Sequence, residues 1–501
     1  MSNTKAEIQS FSGAYPKQIW PLFFSEMWER FCFYGMRGIL IIFMVNQLQM
    51  DAEQANLQYG ATQAFVYAFT FLGGLMADKI LGYRKSLFWG GLLMIVGSLI
   101  LAIDPKAFFF HGIAFTIIGT GFFKPNISTM VGQLYADGDS RRDAGFSLFY
   151  AGINIGALLG GYLCVAVGKG EMLTTIVPAH LTWNVAFGMA SIVMVISLVT
   201  FIFTQRTLAD IGLSPLRHME DGKRKTYEYA TYIGSLVIIP FIMTMVSQTA
   251  YTDLFMYIIG PVTLLYIIYE MKNFSLKENK KLIAALVFIL FSIVFWAFFE
   301  QSGGSLSLFA EKNLSNNVMG IKLDPNGVNN SANSLFVIMF AALLGIVWVW
   351  LSKRKMEPNT VVKFGLAFLF LAAGFYVFYL TKNYSNGEGV TSLTVFTLGW
   401  LIITFGELSL SPIGMSIMTK LSPQRLQAVM MGVWFLASAY GQYFAGILGA
   451  NIAKASENAS NYDKMLVYTS GYKQLGIYAL IAGIILIIIS PLVKKLMQEV
   501  K

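Results

Sequence analysis

The fold is decided by residues 26–37, EMWERFCFYGMR, where four ionisable side chains stand inside an otherwise apolar run. At about 100° per residue, six polar and aromatic members of this stretch share one helical arc of roughly 140°. These members are Glu26, Glu29, Arg30, Phe33, Tyr34 and Arg37. A charge at the centre of a membrane helix costs about 2.5 to 3.5 kcal/mol, so four of them require mutual pairing or a wet cavity. The stretch therefore indicates a membrane helix with one functional polar face.

The composition of the whole chain is that of a membrane protein. Of its 501 residues, 56% are hydrophobic and 13% are charged, and the mean hydropathy is +0.60. Apolar runs of roughly 20 residues, enough to cross about 30 Å of hydrocarbon, recur from end to end, so membrane lipid is the expected surrounding. The net charge of +9 is spread over short loops, which argues against a nucleic-acid partner. Cys32 and Cys164 both lie in apolar runs and offer neither a disulfide framework nor a metal site.

The apolar runs predict fourteen membrane helices in a pattern of six, two and six. The predicted spans are 19–48, 56–78, 86–104, 107–135, 144–167, 181–204, 229–249, 251–270, 281–302, 332–352, 360–381, 391–419, 425–449 and 473–497. The predicted domains are a six-helix bundle (1–204), a linker with two extra helices (205–280) and a second six-helix bundle (281–501). Two such halves, related about the membrane normal, form a known transporter plan with its site near mid-bilayer.

The distribution of Lys and Arg predicts the orientation in the membrane. With the N-terminus in the cytoplasm, 25 of the 36 Lys and Arg residues fall on the inner side, eight on the outer side and three inside spans. The positive-inside rule therefore places both termini in the cytoplasm. The N-terminal stretch to Lys17 has no signal-peptide apolar region, so we expect the first apolar segment to remain as a span.

Three further ionisable residues lie deep in later predicted spans. Lys124 is followed by Pro125 in the fourth span, where its ammonium cannot easily reach the interface and needs an anion. Glu300 lies among aromatic residues in the seventh span, a setting suited to a carboxyl group that carries a proton. Glu407 in the tenth span precedes a polar break that includes Ser411, which suits a cationic group.

Uncharged polar and aromatic residues complete the candidate site. Asn154 and Asn333 add hydrogen-bonding capacity, and each fits a contact between helices as well as a contact with a ligand. The remaining candidates are rings that would line apolar pockets, although such rings also pack in cores. They are Tyr34, Tyr67, Trp296 and Trp434.

The buried charges divide unevenly between the two halves. The cations Arg30, Arg37 and Lys124 belong to the first half, whereas Glu300 and Glu407 belong to the second. A ligand with separated negative and positive ends would satisfy both sets of charges at once. A zwitterion is therefore the expected cargo.

Several of these stretches resemble the proton-dependent oligopeptide transporters, a branch of the major facilitator superfamily. Residues 26–35 resemble the family motif ExxERFxYYG, and residues 73–85, GGLMADKILGYRK, resemble the loop motif of the superfamily. Further resembling stretches follow in order at 119–127, 149–154, 295–301 and 406–412. The resemblance covers nearly the whole chain, and the pattern of six, two and six helices matches the bacterial members.

The resemblance implies a monomeric symporter of the bacterial inner membrane that moves di- and tripeptides with protons by alternating access. It implies no enzymatic activity and no cofactor, with protons as the coupling ion. The residues implied to bind the peptide carboxylate are Arg30, Arg37 and Lys124, and those for its amino end are Asn154, Asn333 and Glu407. The implied proton-coupling set is Glu26, Glu29, Arg30 and Glu300, in which Glu300 pairs with Arg37 when deprotonated. Tyr34, Tyr67, Trp296, Ser411 and Trp434 are implied to contact the peptide.

The sequence departs from the family motif at Phe33, where the family usually has Tyr, so a hydroxyl contact to the substrate is missing. No His lies at mid-span in the first two helices, so the His-based relay of animal relatives is not expected. The short loop at 382–390 also leaves no room for their extracellular domain. Both features favour a bacterial source.

Three alternatives remain at this stage. The same fold could carry another solute, such as nitrate, an amino acid or a peptide-like drug, although the full set of Glu26, Glu29 and Arg30 favours peptides with protons. A membrane enzyme is disfavoured because the three His residues are scattered without metal-ligand spacing. A peptide-sensing receptor on a transporter scaffold is the third alternative, which transport assays separate from the first.

Overall fold

The computed structural model describes residues 4–136, 138–410, 414–454 and 459–500. Within these ranges the chain forms fourteen long helices, a few short helices and one antiparallel pair of strands, Asn317–Val318 and Ile321–Lys322. Eleven of the described helical segments are long and apolar enough to cross a membrane. The other three are 25 to 28 residues long. The predicted all-α membrane fold with fourteen long helices is confirmed.

The long helices are numbered in chain order. The first seven are α1 (Ile19–Asn46), α2 (Ala52–Met76, continued by a π-helical turn at Ala77–Leu81), α3 (Tyr83–Ile103), α4 (Phe109–Gln133), α5 (Arg142–Gly168), α6 (Thr182–Thr204) and α7 (Asp221–Val237 and Ile239–Ser247). The other seven are α8 (Thr249–Glu270), α9 (Leu276–Phe299), α10 (Pro325–Lys353), α11 (Thr360–Leu380), α12 (Leu393–Leu410), α13 (Gln427–Ile452) and α14 (Asn461–Met497). Short helices lie at Lys5–Gln9, Ser305–Asn313 and Gly414–Leu421.

Most predicted helix ends agree with the structure, but three helices begin earlier than hydropathy predicts. The helices α7, α10 and α14 start with polar turns, which carry no apolar signal. Side-chain caps mark two of these starts, because Asp324 accepts a hydrogen bond from the Gly327 amide and Ser460 accepts one from the Asp463 amide. The predicted span at 391–419 crosses residues 411–413, which lie outside the described residues; on either side of them, α12 is described as far as Leu410 and a short helix from Gly414 onward.

The helices form two compact units. The first contains the chain up to Phe43 together with Phe65–Gln248, and the second contains Met44–Ala64 together with the chain from Thr249 onward. The tip of the α1–α2 hairpin therefore belongs to the second unit, although most of α1 belongs to the first. The domain boundaries that the sequence predicts, after residues 204 and 280, stay a prediction.

In the first unit, α1 lies directly against α5 at two glycines. A Cβ atom at Gly156 would overlap the carbonyl oxygen of Met27, and one at Gly160 would overlap that of Phe31. Only glycine allows two helix backbones to approach this closely. The charged part of α1 is thereby held in a fixed position on the backbone of α5.

In the second unit, two helix pairs position the polar residues. The helices α10 and α12 pack side by side, and α9 packs on α13. At the second contact, a Cβ atom at Gly441 would lie 2.7 Å from Trp296 Cβ, so the glycine lets α13 pass closely over the tryptophan. After Phe299 the chain tightens into a 3-10 turn, Glu300–Gly303, so that Glu300 marks the end of α9.

Candidate functional site

A buried ion-pair cluster occupies the middle of α1. Arg30 Nε lies 3.2 Å from Glu26 Oε1, and the Arg30 guanidinium also contacts the Glu29 carboxylate. All three side chains are at most 3% exposed. One carboxylate oxygen of each glutamate, Glu26 Oε2 and Glu29 Oε1, is buried without a hydrogen-bond partner among the described residues.

The charges of this cluster do not balance when both carboxylates are ionised. Two negative groups then share the single guanidinium of Arg30, and a net charge in a buried setting is costly. One proton on Glu26 or Glu29 would remove that net charge. The cluster is therefore chemically suited to take up and release a proton.

Phe33 lies beside this cluster and beside Lys124. The centroid of its ring is 5.3 Å from Arg30 Cζ and 5.8 Å from Lys124 Nζ, and the side chain is 2% exposed. The sequence placed Phe33 on the polar face of this helix and drew attention to its missing hydroxyl. The structure adds that the ring itself contacts a cation on α1 and a cation on α4.

Two tyrosine rings extend this row of cations and aromatic side chains in the first unit. Lys124 Nζ lies 4.2 Å from the centroid of the Tyr67 ring, and Arg37 Cζ lies 5.7 Å from that of Tyr34. The Phe33 and Tyr34 rings meet edge to face at 5.2 Å. Lys124 and Arg37 are both partly exposed, unlike Arg30. These two cations are therefore the ones in the row that a ligand could reach.

Asn154 is buried on α5 and is bonded within its own helix. Its Nδ2 donates to the Tyr150 carbonyl oxygen at 2.9 Å, one turn earlier. This bond satisfies one donor of the amide and leaves the sequence-based choice between helix contact and ligand contact open.

Asn333 and Glu407 lie side by side in the second unit. Asn333 Nδ2 donates to Glu407 Oε2 at 2.7 Å and to Thr404 Oγ1 at 3.1 Å. Both Asn333 and Glu407 are partly exposed. The packing of α10 on α12 thus brings together two residues that are 74 positions apart in the chain. Their arrangement offers a carboxylate held in place by an amide.

A polar network that the sequence reasoning missed continues from this pair. Trp400 Nε1 donates to Asn329 Oδ1 at 3.3 Å, and Asn329 Nδ2 donates to the Ser302 carbonyl oxygen at 2.7 Å. Asn329 precedes Asn333 by four residues, and Asn326 precedes it by seven, which is the spacing of one helix face. This spacing was the signal that α10 begins before residue 332 and carries a polar face.

The remaining predicted residues of the second unit lie on α9 and α13. Glu300 is 4% exposed at the end of α9, and Trp296 is partly exposed one turn earlier. Trp434 is buried on α13. Ser411 lies outside the described residues. Within the described part of the chain, no group of three His, Cys, Asp or Glu side chains is placed to hold a metal ion.

Comparison with known proteins shows one family over the whole chain. Residues 84–465 match the family model PTR2, the POT family. The peptide transporter YePEPT of Yersinia enterocolitica is 33% identical, with 99% of this chain and 98% of the relative covered. A di-/tripeptide transporter of Lactococcus lactis is 30% identical, with both chains covered completely.

Solved structures give the same result. A peptide transporter POT in complex with sulfate superposes with a TM-score of 0.81 at 32% identity, covering 99% of this chain and 100% of that one. A mutant peptide transporter POT in complex with alafosfalin superposes with a TM-score of 0.83 at 31% identity and the same coverage. The chain has the expected major facilitator fold, and it belongs to the POT family, a family of membrane transporters and not of enzymes.

Proposed function

We propose that this protein imports di- and tripeptides together with protons by alternating access. The proposal is supported by relatives that are described as peptide transporters and that align over nearly the whole chain. The observation that carries the proton part is the buried cluster on α1, where Glu26 and Glu29 share the guanidinium of Arg30.

The peptide ends would be held by residues of opposite charge. Arg37 and Lys124 are partly exposed cations and would bind the peptide carboxylate, with Arg30 behind them. Glu407, held by the Asn333 amide, would bind the amino end. A carboxylate that already accepts one hydrogen bond is fixed in direction, which lowers the entropy lost when it binds an ammonium group.

Other residues would complete the substrate site. Asn154 would contribute a hydrogen bond to the amino end, as its position in the family motif implies. The residues proposed to contact the peptide itself are Tyr34, Tyr67, Trp296, Ser411 and Trp434.

Proton coupling would involve two places in the chain. Glu26, Glu29 and Arg30 would form one, because a single proton balances their charge. Glu300 would form the other, pairing with Arg37 when deprotonated and releasing it when protonated. A ligand or proton can drive a conformational change only through a difference in affinity between two states, and this exchange of partners supplies such a difference.

We also propose the setting in which the protein works. It would reside as a functional monomer in the bacterial inner membrane with both termini in the cytoplasm, in accordance with the distribution of Lys and Arg. The six-helix bundles at 1–204 and 281–501 would be the moving halves, and 205–280 would supply the two extra helices.

Uptake into proteoliposomes tests the proposal. A labelled dipeptide should accumulate when an inward proton gradient is imposed, and a protonophore should abolish the accumulation. Uptake that is indifferent to the gradient would disprove proton coupling. Competition by a panel of peptides, amino acids, nitrate and peptide-like drugs identifies the cargo, and competition by nitrate or amino acids but not by peptides would favour the alternative cargo.

A further inference from the structure

Two lysines of the second unit meet on the ring of one tyrosine. Lys382 Nζ lies 4.1 Å from the centroid of the Tyr379 ring and donates a hydrogen bond to the Tyr379 hydroxyl oxygen at 2.9 Å. Lys473 Nζ, on α14, lies 5.2 Å from the same centroid. Because 4.1 Å and 5.2 Å meet at one centroid, the two ammonium groups are at most about 9.3 Å apart. The fold therefore brings two positive charges together from two different helical segments.

Neither lysine is neutralised within the part of the chain that the structure describes. Lys382 and Lys473 form no ion pair with a described carboxylate. Elsewhere the chain does supply such a partner, since Lys363 Nζ lies 4.7 Å from the Trp348 ring centroid and is paired with Glu357 at 2.5 Å. Two like charges that are close together repel each other, and an anion between them removes that repulsion. Lys473 is exposed and Lys382 is partly exposed, so an anion from outside the protein can reach both.

Both lysines lie where an apolar helix meets water. Lys382 is two residues beyond the end of α11 at Leu380, and Lys473 is the first residue of the last span that hydropathy predicts. The helices α11 and α14 pack on each other. On the membrane side of the two lysines, both helices expose large apolar side chains, namely Tyr376 (52%), Ile477 (44%) and Leu480 (44%). A surface for lipid therefore begins within two helical turns of the two charges.

We propose that Lys382, Lys473 and Tyr379 form a binding site for the phosphate group of an anionic phospholipid, whose acyl chains lie along the exposed surface of α11 and α14. The two ammonium groups attract the phosphate as compact point charges. The Tyr379 hydroxyl accepts the hydrogen bond of Lys382 and keeps its own proton, which it can donate to a phosphate oxygen.

A phospholipid suits this place better than a soluble anion, because only the lipid also covers apolar surface. Burial of that surface adds to the binding, whereas free phosphate gains from the charges alone. The proposal does not depend on the transport of peptides. Only the leaflet follows from the proposed orientation, in which Lys382 comes after eleven helices and so lies on the outer side.

Titration of the detergent-purified protein with phosphatidylglycerol, followed by native mass spectrometry, counts the lipids that stay bound. Lys382→Gln with Lys473→Gln should weaken the binding of the first lipid about tenfold or more, because two charges near the membrane surface are removed. Lys382→Arg with Lys473→Arg keeps both charges and should stay within about threefold of the wild type. Unchanged binding in the variant with two Gln residues would overturn the proposal.

A matched pair of lysines controls for the loss of charge in general. Lys106 and Lys322 are exposed on the same proposed side of the membrane, and no described ring or carboxylate is paired with either. Lys106→Gln with Lys322→Gln removes the same charge and should change the binding less than about twofold. An equal loss in the two double variants would show a general effect of net charge and would overturn the site.

Two other ligands separate a lipid from a soluble anion. Phosphatidylcholine, whose headgroup carries no net charge, should bind about tenfold more weakly than phosphatidylglycerol. Glycerol phosphate, which carries the phosphate without acyl chains, should not displace the bound lipid even in large excess. Equal binding of both lipids, or complete displacement by glycerol phosphate, would overturn the proposal that the occupant is an anionic phospholipid.

Discussion

Arg30 is the residue on which the buried charge of α1 depends. It is the shared partner of Glu26 and Glu29, and all three side chains are shielded from solvent. Removing one partner from a buried ion pair leaves an uncompensated charge, which costs about 3 to 5 kcal/mol. Arg30→Met should therefore lower the free energy of unfolding by about that amount, measured from thermal unfolding in detergent.

An exposed arginine provides the control for this prediction. Arg217 is 43% exposed and lies 3.8 Å from Asp210, so Arg217→Met should change stability by less than about 1 kcal/mol. Adding Glu29→Gln to Arg30→Met should restore part of the loss, since one buried negative charge is removed. No restoration by Glu29→Gln would argue against charge imbalance as the cause.

Glu300 should be required for uptake that is driven by a proton gradient. Glu300→Gln should abolish uptake driven by a proton gradient but retain counterflow exchange of peptide, because a permanently neutral side chain cannot complete a proton cycle while the substrate site remains. Glu388→Gln, in an exposed loop, is the control and should transport normally. Transport driven by the gradient at the wild-type rate in Glu300→Gln would remove Glu300 from the coupling role.

The sequence revealed the candidate residues better than their contacts. Glu26, Glu29 and Lys124 could be found because lipid makes any buried charge conspicuous. The contact of Phe33 with Lys124 could not, because it depends on the lateral packing of α1 on α4, which a single sequence does not encode in readable form. Asn329 was missed for another reason: a neutral amide in a helix is common, and only its spacing to Asn333 marks it.

At the scale of elements, Gly156 decides how closely α1 and α5 can approach. A methyl group there would overlap the backbone of α1 at Met27, and backbone cannot move aside as a flexible side chain can. Gly156→Ala should cost about 3 kcal/mol of stability, the upper part of the range for overpacking, and should lower the yield of folded protein. Melting temperature and size-exclusion profile in detergent would measure both effects.

Gly188 on α6 is the matched control. A Cβ atom there would lie 3.6 Å from Ala102 Cβ, an ordinary van der Waals distance. Gly188→Ala should therefore be tolerated and should gain slightly from the higher helix propensity of alanine. Similar behaviour of the two variants would mean that α1 and α5 can separate without loss.

The helices themselves were largely predictable, and the errors share one cause. Hydropathy detects the part of a helix that lipid covers, so it located the centres of all fourteen helices. It missed the polar first turns of α7, α10 and α14, of which only those of α10 and α14 are marked by a side-chain cap.

At the scale of the whole molecule, the two extra helices are each bonded to a different compact unit. In the first unit, α7 contacts α3 through Glu228 with Lys85 at 2.6 Å and through Ser235, which accepts a hydrogen bond from Trp89 Nε1 at 3.0 Å. In the second unit, α8 contacts α13 through Asp253, which accepts a hydrogen bond from the Tyr443 hydroxyl at 2.6 Å. These are specific polar anchors, so each helix has a defined partner within its unit.

The orientation of the chain in the membrane can be tested by cysteine labelling, because both native cysteines are buried. Cys32 and Cys164 are both buried, so a membrane-impermeant maleimide should not label the wild type. Single cysteines can then be introduced at exposed positions between helices. We expect Lys106→Cys, after three helices, to be labelled in intact cells. Lys272→Cys, after eight helices, should be labelled only after permeabilisation, because an even number of crossings returns the chain to the side of the N-terminus.

Two further positions extend the same test to the N-terminal segment and to the loop between α11 and α12. Lys5→Cys should behave like Lys272→Cys, and Glu388→Cys, after eleven helices, should behave like Lys106→Cys. Reversal of all four would mean that the Lys and Arg distribution does not set the orientation. Labelling of Lys106→Cys and Lys272→Cys from the same side would contradict the predicted number of membrane crossings. Five crossings separate the two positions, and an odd number must place them on opposite sides. Labelling from the same side would therefore show that an odd number of the helices α4 to α8 does not cross the membrane.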